Sequence, residues 1–174
     1  VVHTAEHLAS AMFFLGAPLA EIPQARLYAA PKPHEAPYAV LHPFASAPDK
    51  TWPADRFAAL AAHLEAAWGL EPVFAGGAGD DFSPFGRWRR VAGAPLAEVK
   101  SLLAGASLFA GNDSGPAHMA AALGLPMLVL FGASDARIWH PWKAQAQVLA
   151  APGRIADLPL SDALAALEKL RVAA

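Results

Sequence analysis

The chain has 174 residues, 55% of them hydrophobic and 16% charged, which is enough for one compact domain with a sizeable core and too few for two. Thirteen basic against 15 acidic side chains give a formal net charge of -2, so a general electrostatic attraction to nucleic acid is excluded and any phosphate site has to be local. The lack of cysteine excludes disulfides and thiolate metal sites and fits a cytoplasmic protein, no apolar run approaches the ~20 residues of a spanning helix, and no signal peptide opens the chain.

The opening reads as the middle of something longer, because there is no initiating Met and the pattern starts within a helix. Residues 4–16 put Leu8, Ala11, Met12 and Leu15 on one helical face, with Gly16 and Pro18 as terminators. His3-Thr4-Ala5-Glu6-His7 matches the H-x-x-E-H pattern of inverted zinc peptidases. So short a pattern also arises by accident, and we read it as a polar helix face. From Pro18 to Pro37 the chain is proline-rich and aperiodic, a linker with one extended piece at Ala25 to Ala29.

Regular alternation begins at Tyr38. Strands are expected at Tyr38 to His42, Glu71 to Ala75, Arg90 to Ala92, Leu108 to Ala110, Met127 to Phe131 and Gln147 to Ala150. Helices are expected at Pro53 to Trp68, Pro95 to Leu103, after Ser114, and Ser161 to Arg171, with a short one after Phe82 and a loop holding Trp139 and Trp142. Five or six strands alternating with helices predict an open, doubly wound parallel α/β sheet. In such a sheet ligands bind at the carboxyl edge, where three loops fall.

The loop after His42 offers the Ser46 hydroxyl and the Lys50 ammonium, a compact charge suited to phosphate, with Trp52 beside it. The loop after Ala75 offers Asp80 or Asp81 to ribose hydroxyls; both are also ordinary turn residues. Its Gly76-Gly77-Ala78-Gly79 run has neither the G-x-G-x-x-G spacing nor the Lys-Ser/Thr of a P-loop. The third loop, Gly111-Asn112-Asp113-Ser114-Gly115-Pro116, opens a helix that stops at Gly124 and Pro126. Asp113 or Ser114 is expected to supply the N-cap oxygen, and Pro116 suits the first turn. The N–H groups of Ser114 and Gly115 suit an anion, with His118 about one turn further in. His118 is equally a satisfied histidine and Asp113 equally a cap.

In this combination the chain resembles a known family. His42-Pro43, Lys50-x-Trp52-Pro53, Gly76-Gly77, Asn112-Asp113-Ser114-Gly115-x-x-His118 and Pro126 through Gly132 look like the C-terminal half of a lipopolysaccharide heptosyltransferase, glycosyltransferase family nine, from about Tyr38 to Trp142. The resemblance implies a Rossmann-like domain of a GT-B enzyme that binds a nucleotide-sugar donor, typically ADP-heptose. Residues 1–37 would then be the end of the acceptor domain and the interdomain linker, and residues 38–174 the donor-binding domain.

Carried over from the family, Lys50, Ser114 and Gly115 contact the donor diphosphate, with Ser46 and His118 beside it. Asp113 meets hydroxyls of the transferred sugar, and Asp80 or Asp81 takes the ribose. Two departures from the family stand out. Gly132 is followed by Ala133-Ser134-Asp135 rather than Pro-Thr, which leaves Ser134 for the threonine contact, and the acid after Gly76-Gly77 is not glutamate. An inverting transfer also needs a base, which the family places in the acceptor domain, so no catalytic base is assigned and the fragment alone is expected to be inactive. No cofactor or metal is implied, since there is no D-x-D pair. The acceptor is a lipopolysaccharide core or similar saccharide, reached in the cytoplasm at the inner face of the bacterial membrane, with no nucleic-acid partner. Two other readings share the pattern: a non-catalytic nucleotide- or phosphate-binding flavodoxin-like module, and a GT-B transferase using another nucleotide sugar.

Overall fold

The computed structural model describes residues 1–170. Six strands run β1 Tyr38–His42, β2 Glu71–Gly76, β3 Arg89–Ala92, β4 Leu108–Asn112, β5 Met127–Phe131 and β6 Ala146–Ala150. They form one sheet in the order β3-β2-β1-β4-β5-β6, and every neighbouring pair is parallel. The helices are α1 Thr4–Phe14, α2 Ala54–Trp68, α3 Leu96–Ala104, α4 Gly115–Ala122, α5 Ala136–Trp139 and α6 Leu160–Leu167.

The central strands are buried on both faces, as a parallel sheet with helices on either side requires, and their sequences are correspondingly apolar throughout. Successive side chains divide between two cores. Ala39 and Leu41 of β1, Phe74 of β2 and Leu128 and Leu130 of β5 pack with Phe57, Leu60 and Leu64 of α2 and Ala163 and Leu167 of α6. Tyr38 and Val40, Val73, and Val129 and Phe131 pack on the other face with Leu102 and Leu103 of α3 and Ala117 and Ala120 of α4. The small residues of α4 let that helix lie close against the sheet.

Several expectations are corrected in detail. The linker around Ala25 to Ala29 is not free but tied to the end of α4, where the Ala122 carbonyl accepts from the Leu27 N–H at 2.8 Å and the Ala121 carbonyl from the Gln24 amide at 2.8 Å. The Trp139 region is not a plain loop but the four-residue α5, whose N-cap Asp135 accepts from the Arg137 N–H at 2.9 Å. The last helix ends at Leu167, and Arg171, its expected end, lies outside the described residues. The H-x-x-E-H stretch is a capping box. His3 Nδ1 accepts from the Ala5 N–H at 3.0 Å and Glu6 accepts from the His3 N–H at 3.2 Å, which occupies two of the three residues with helix capping.

Candidate functional site

The strand order reverses between β1 and β4. The chain leaves β1 for α2 on one face and leaves β4 for α4 on the other, so a crevice opens between their carboxyl ends. A cleft of about 310 Å³ occupies that point. His42 comes to it from the end of β1, Phe44 and Ser46 from the loop beyond, Asp80 from the turn after β2, and Asp113, Ser114 and Gly115 from the β4–α4 turn. Five of the nine expected residues therefore meet in one place: Ser46, Asp80, Asp113, Ser114 and Gly115.

Each is placed by local geometry. Asp113 continues the sheet for one residue, its N–H bonding the Leu130 carbonyl at 3.0 Å, which fixes its carboxylate at the edge with 15% of the side chain exposed. Ser114 is the N-cap residue of α4 in extended conformation, but its hydroxyl makes no capping bond. The expected cap oxygen from Asp113 or Ser114 is thus absent. Among the described residues the buried Ser114 Oγ has no hydrogen-bond partner, and no side chain caps the first N–H groups of α4. An unpaired buried hydroxyl beside a helix start is a donor and acceptor held ready for a ligand. The Asp80 carboxylate folds back on its own turn and accepts from the Gly77 N–H at 2.6 Å. A Cβ on Gly76 would meet the Phe44 ring and would lie 2.7 Å from the Asp80 carboxylate, so this glycine admits both side chains to the cleft wall.

The other four expected residues lie apart. Asp81 is exposed and accepts from the Ser83 N–H at 2.8 Å, at the start of the short 3-10 turn Ser83–Phe85; that bond holds its carboxyl below the usual carboxylate range. Of the two aspartates, Asp80 lines the cleft and Asp81 does not. Lys50 is half-buried at the end of the 3-10 turn Pro48–Lys50 and does not line the cleft. The Ala133 N–H donates to the Asp49 carbonyl at 3.2 Å, and a Cβ on Gly132 would fall on that carbonyl, so the Lys50 turn is seated directly on the exit of β5. Ser134 lies in that exit, outside the cleft lining. His118 is exposed, its Nε2 3.9 Å from the Asp113 carboxylate, and it faces a second hollow rather than the cleft.

Residues 15–158 match the model of glycosyltransferase family 9 (heptosyltransferase). The chain belongs to this family. The match reaches beyond Tyr38 to Trp142 on both sides. Lipopolysaccharide heptosyltransferase 3 of Escherichia coli is 51% identical over 45 residues, 26% of this chain and 13% of that protein. A family 9 glycosyl transferase from Veillonella parvula has the same fold, with a TM-score of 0.84 and 19% identity over 95% of this chain and 59% of that one. The E. coli heptosyltransferase WaaC, solved with ADP, superposes with a TM-score of 0.71 and 25% identity over 79% of this chain and 45% of that one. The chain spans about half the length of these solved relatives.

Within this family 9 fold, two positions carry more than their place in the sequence pattern conveyed. Asn112 is fully buried; its Nδ2 donates to the Pro43 carbonyl at 2.8 Å and its Oδ1 accepts from the Trp52 N–H at 3.2 Å. One side chain thus fastens both ends of the loop that carries Ser46 and Lys50. Trp52 is closed to ligands: its ring is buried against Phe57, and its indole N–H donates to the Leu158 carbonyl at 2.9 Å. His42 lines the cleft and Nδ1 lies 2.8 Å from the Ala75 carbonyl. Burial holds its imidazole below the ordinary value, only partly offset by that bond and by Asp80. A neutral ring that donates through Nδ1 keeps Nε2 as an acceptor. Sequence reasoning missed the parts played by Asn112 and His42 because their partners are backbone groups distant in the chain.

Proposed function

We propose that this chain is the donor-binding part of an inverting glycosyltransferase that transfers heptose from ADP-heptose to a lipopolysaccharide core or similar acceptor. The observation that carries it is the cleft at the β1/β4 reversal, where a hydroxyl pair, two carboxylates and an uncapped helix start converge in a family 9 chain. Supporting the choice of nucleotide, WaaC was solved with ADP and with ADP-2-deoxy-2-fluoro heptose. In this reading Asp80 takes the ribose, and Ser46, Ser114 and Gly115 take the diphosphate. Lys50 reaches that group from its turn, with Ser134 assisting, and Asp113 binds hydroxyls of the heptose.

The acceptor oxygen attacks the anomeric carbon while the bond to the diphosphate oxygen breaks, leaving its electron pair on that oxygen. The acceptor proton goes to a base in the acceptor-binding part, so this chain by itself transfers no sugar. What this chain supplies is stabilisation of the leaving group: preorganised N–H groups, the Ser114 hydroxyl and the Lys50 ammonium aimed at developing charge. The reading uses no metal, and among the described residues no three or more His, Asp or Glu side chains are grouped to hold one.

Residues 1–37 are, in the same reading, the end of the acceptor domain and the linker. Met12, Phe14 and Leu15 of this segment are exposed and would cover that domain. The enzyme works in the cytoplasm at the inner membrane face; among the described residues no helix is long and apolar enough to cross a membrane.

Calorimetric titration with ADP, UDP, GDP and ADP-heptose tests the reading. ADP should bind best of the three diphosphates, and Asp113→Ala should weaken ADP-heptose more than ADP. Equal losses would remove Asp113 from the sugar, and tighter UDP or GDP binding would assign a different nucleotide sugar.

A further inference from the structure

A second hollow, of about 320 Å³, lies between the start of α1 and α5, and its wall is mostly carbon. Leu8, Ile138, Trp139 and Trp142 supply the apolar surface, and His118 closes one side. The neighbouring polar groups are largely occupied. His3 is buried with both ring nitrogens engaged, its Nε2 2.8 Å from the His140 carbonyl, and the Trp142 indole N–H donates to the Ile22 carbonyl at 3.3 Å. The His3 ring packs T-shaped on His140 and tilted on Trp142, with centroids 4.5 and 4.6 Å apart. Three groups are left facing outward. Trp139 is 47% exposed, and among the described residues the His118 imidazole has one polar partner, Asp113 at 3.9 Å, and no hydrogen bond engages the Thr4 hydroxyl.

Position makes this hollow informative. Along the carboxyl edge of the sheet the loops follow the strand order, so the Asp80 turn after β2, the Ser46 loop after β1, the Asp113 turn after β4 and the α5 segment after β5 come in sequence. A donor lying with its ribose at Asp80 and its sugar at Asp113 points its transferable end toward α5. The Asp113–His118 pair is the wall shared by the two cavities, since Asp113 lines the cleft and His118 lines the hollow.

We propose that the hollow lined by Trp139, Trp142, His118 and Thr4 is a saccharide subsite that receives a pyranose ring of the acceptor beside the donor sugar. This rests on the glycosyltransferase reading above. The chemistry fits a sugar better than an acyl chain. An indole face suits the C–H face of a pyranose, while an imidazole and a hydroxyl at the rim suit its equatorial hydroxyls, and the volume is at the small end of ligand pockets, about 300–1,000 Å³. A lipid chain would leave those polar rim groups unmatched.

The chain holds five tryptophans, so labelling with 5-fluorotryptophan gives a separate fluorine resonance for each. The labelled chain is titrated with a methyl heptopyranoside, with and without saturating ADP, and Trp139→Phe and Trp142→Phe assign the signals. We expect saturable movement of the Trp139 and Trp142 resonances, unmoved Trp52 and Trp88 resonances, and no displacement by ADP. Trp139→Ala should weaken the glycoside about tenfold, whereas Trp139→Phe keeps most of the affinity and both leave ADP affinity as it is. Unchanged Trp52 and Trp88 signals in these variants report that the fold is intact. A Trp139 resonance that stays still, a glycoside that ADP displaces, or a Trp139→Ala chain that binds as well as the parent would each overturn the subsite. The donor reading fails separately: ADP that does not bind while the glycoside still moves Trp139 removes the donor cleft and leaves a sugar site.

Discussion

Ser114 carries a cost in the free protein, because its hydroxyl is buried without a partner. Removing an unpaired buried group relieves a penalty, whereas removing a ligand contact loses one. Ser114→Ala should therefore leave thermal stability unchanged or raise it by about 1 kcal/mol, while weakening ADP by roughly 2- to 12-fold, the equivalent of about 0.5–1.5 kcal/mol. A destabilised variant with unaltered ADP binding would make the hydroxyl structural. His42 has a pH signature. Burial lowers its folded pKa, so above the ordinary value of about 6.5 both folded and unfolded forms are neutral and stability is full. As pH falls through that value the unfolded chain takes up the proton first, and stability declines until the folded imidazole titrates. Urea denaturation across pH 5 to 7 should give a shallower decline for His42→Gln than for the parent, and identical slopes would remove His42 as the cause. At this scale the sequence was legible for Asp113, Ser114 and Gly115, because a strand, a turn and a helix start leave few places for them. It was not legible for the choice between Asp80 and Asp81, which rests on which carboxylate the Gly77 and Ser83 N–H groups claim.

The β1–α2 loop is the element on which the site depends most, and it is held from outside itself. Asn112 binds the Pro43 carbonyl at one end and the Trp52 N–H at the other, and Gly132 gives the Pro48–Lys50 turn its seat. Asn112→Ala leaves two buried backbone groups without partners, each costing about 1–3 kcal/mol, and frees the segment carrying Ser46. Chemical denaturation should register a loss of about 2–6 kcal/mol, with weaker ADP binding under conditions where the variant remains folded. Full ADP affinity in the folded variant would show that the loop keeps its shape without the clamp. Strands and long helices were readable from their apolar runs and Gly and Pro stops, so β1, β2, β5 and α2 fall within a residue of expectation. The four-residue α5 was not, since one helical turn has no periodicity to detect. The segment before Pro37 looked like a free linker because its ties to α3 and α4 are made by single distant hydrogen bonds, such as the Lys32 N–H to the Ser101 carbonyl at 3.1 Å.

The whole molecule is a doubly wound sheet with a single reversal of strand order, and that topology decides where chemistry gathers. The expected parallel fold of five or six strands agrees with the six-stranded sheet of the structure, and the family 9 match extends over residues 15–158. What the chain pattern did not contain was the division of the carboxyl edge into two cavities, because Asp113 and His118 sit five residues apart yet line different ones. Lys50 also stands outside the cleft lining, so its role depends on reaching a bound diphosphate from the turn against β5. The central claim, that this edge holds a nucleoside diphosphate, is tested most directly by calorimetric titration of ADP into the parent chain and Lys50→Ala at low and high salt. The account predicts one ADP per chain, with affinity reduced roughly 10- to 150-fold by the substitution, the equivalent of about 1.5–3 kcal/mol for a hydrogen bond to a charged group. That difference should narrow as salt rises, because screening weakens the same contact in the parent. Absence of ADP binding, or equal affinities for the two chains at both salt concentrations, would contradict it.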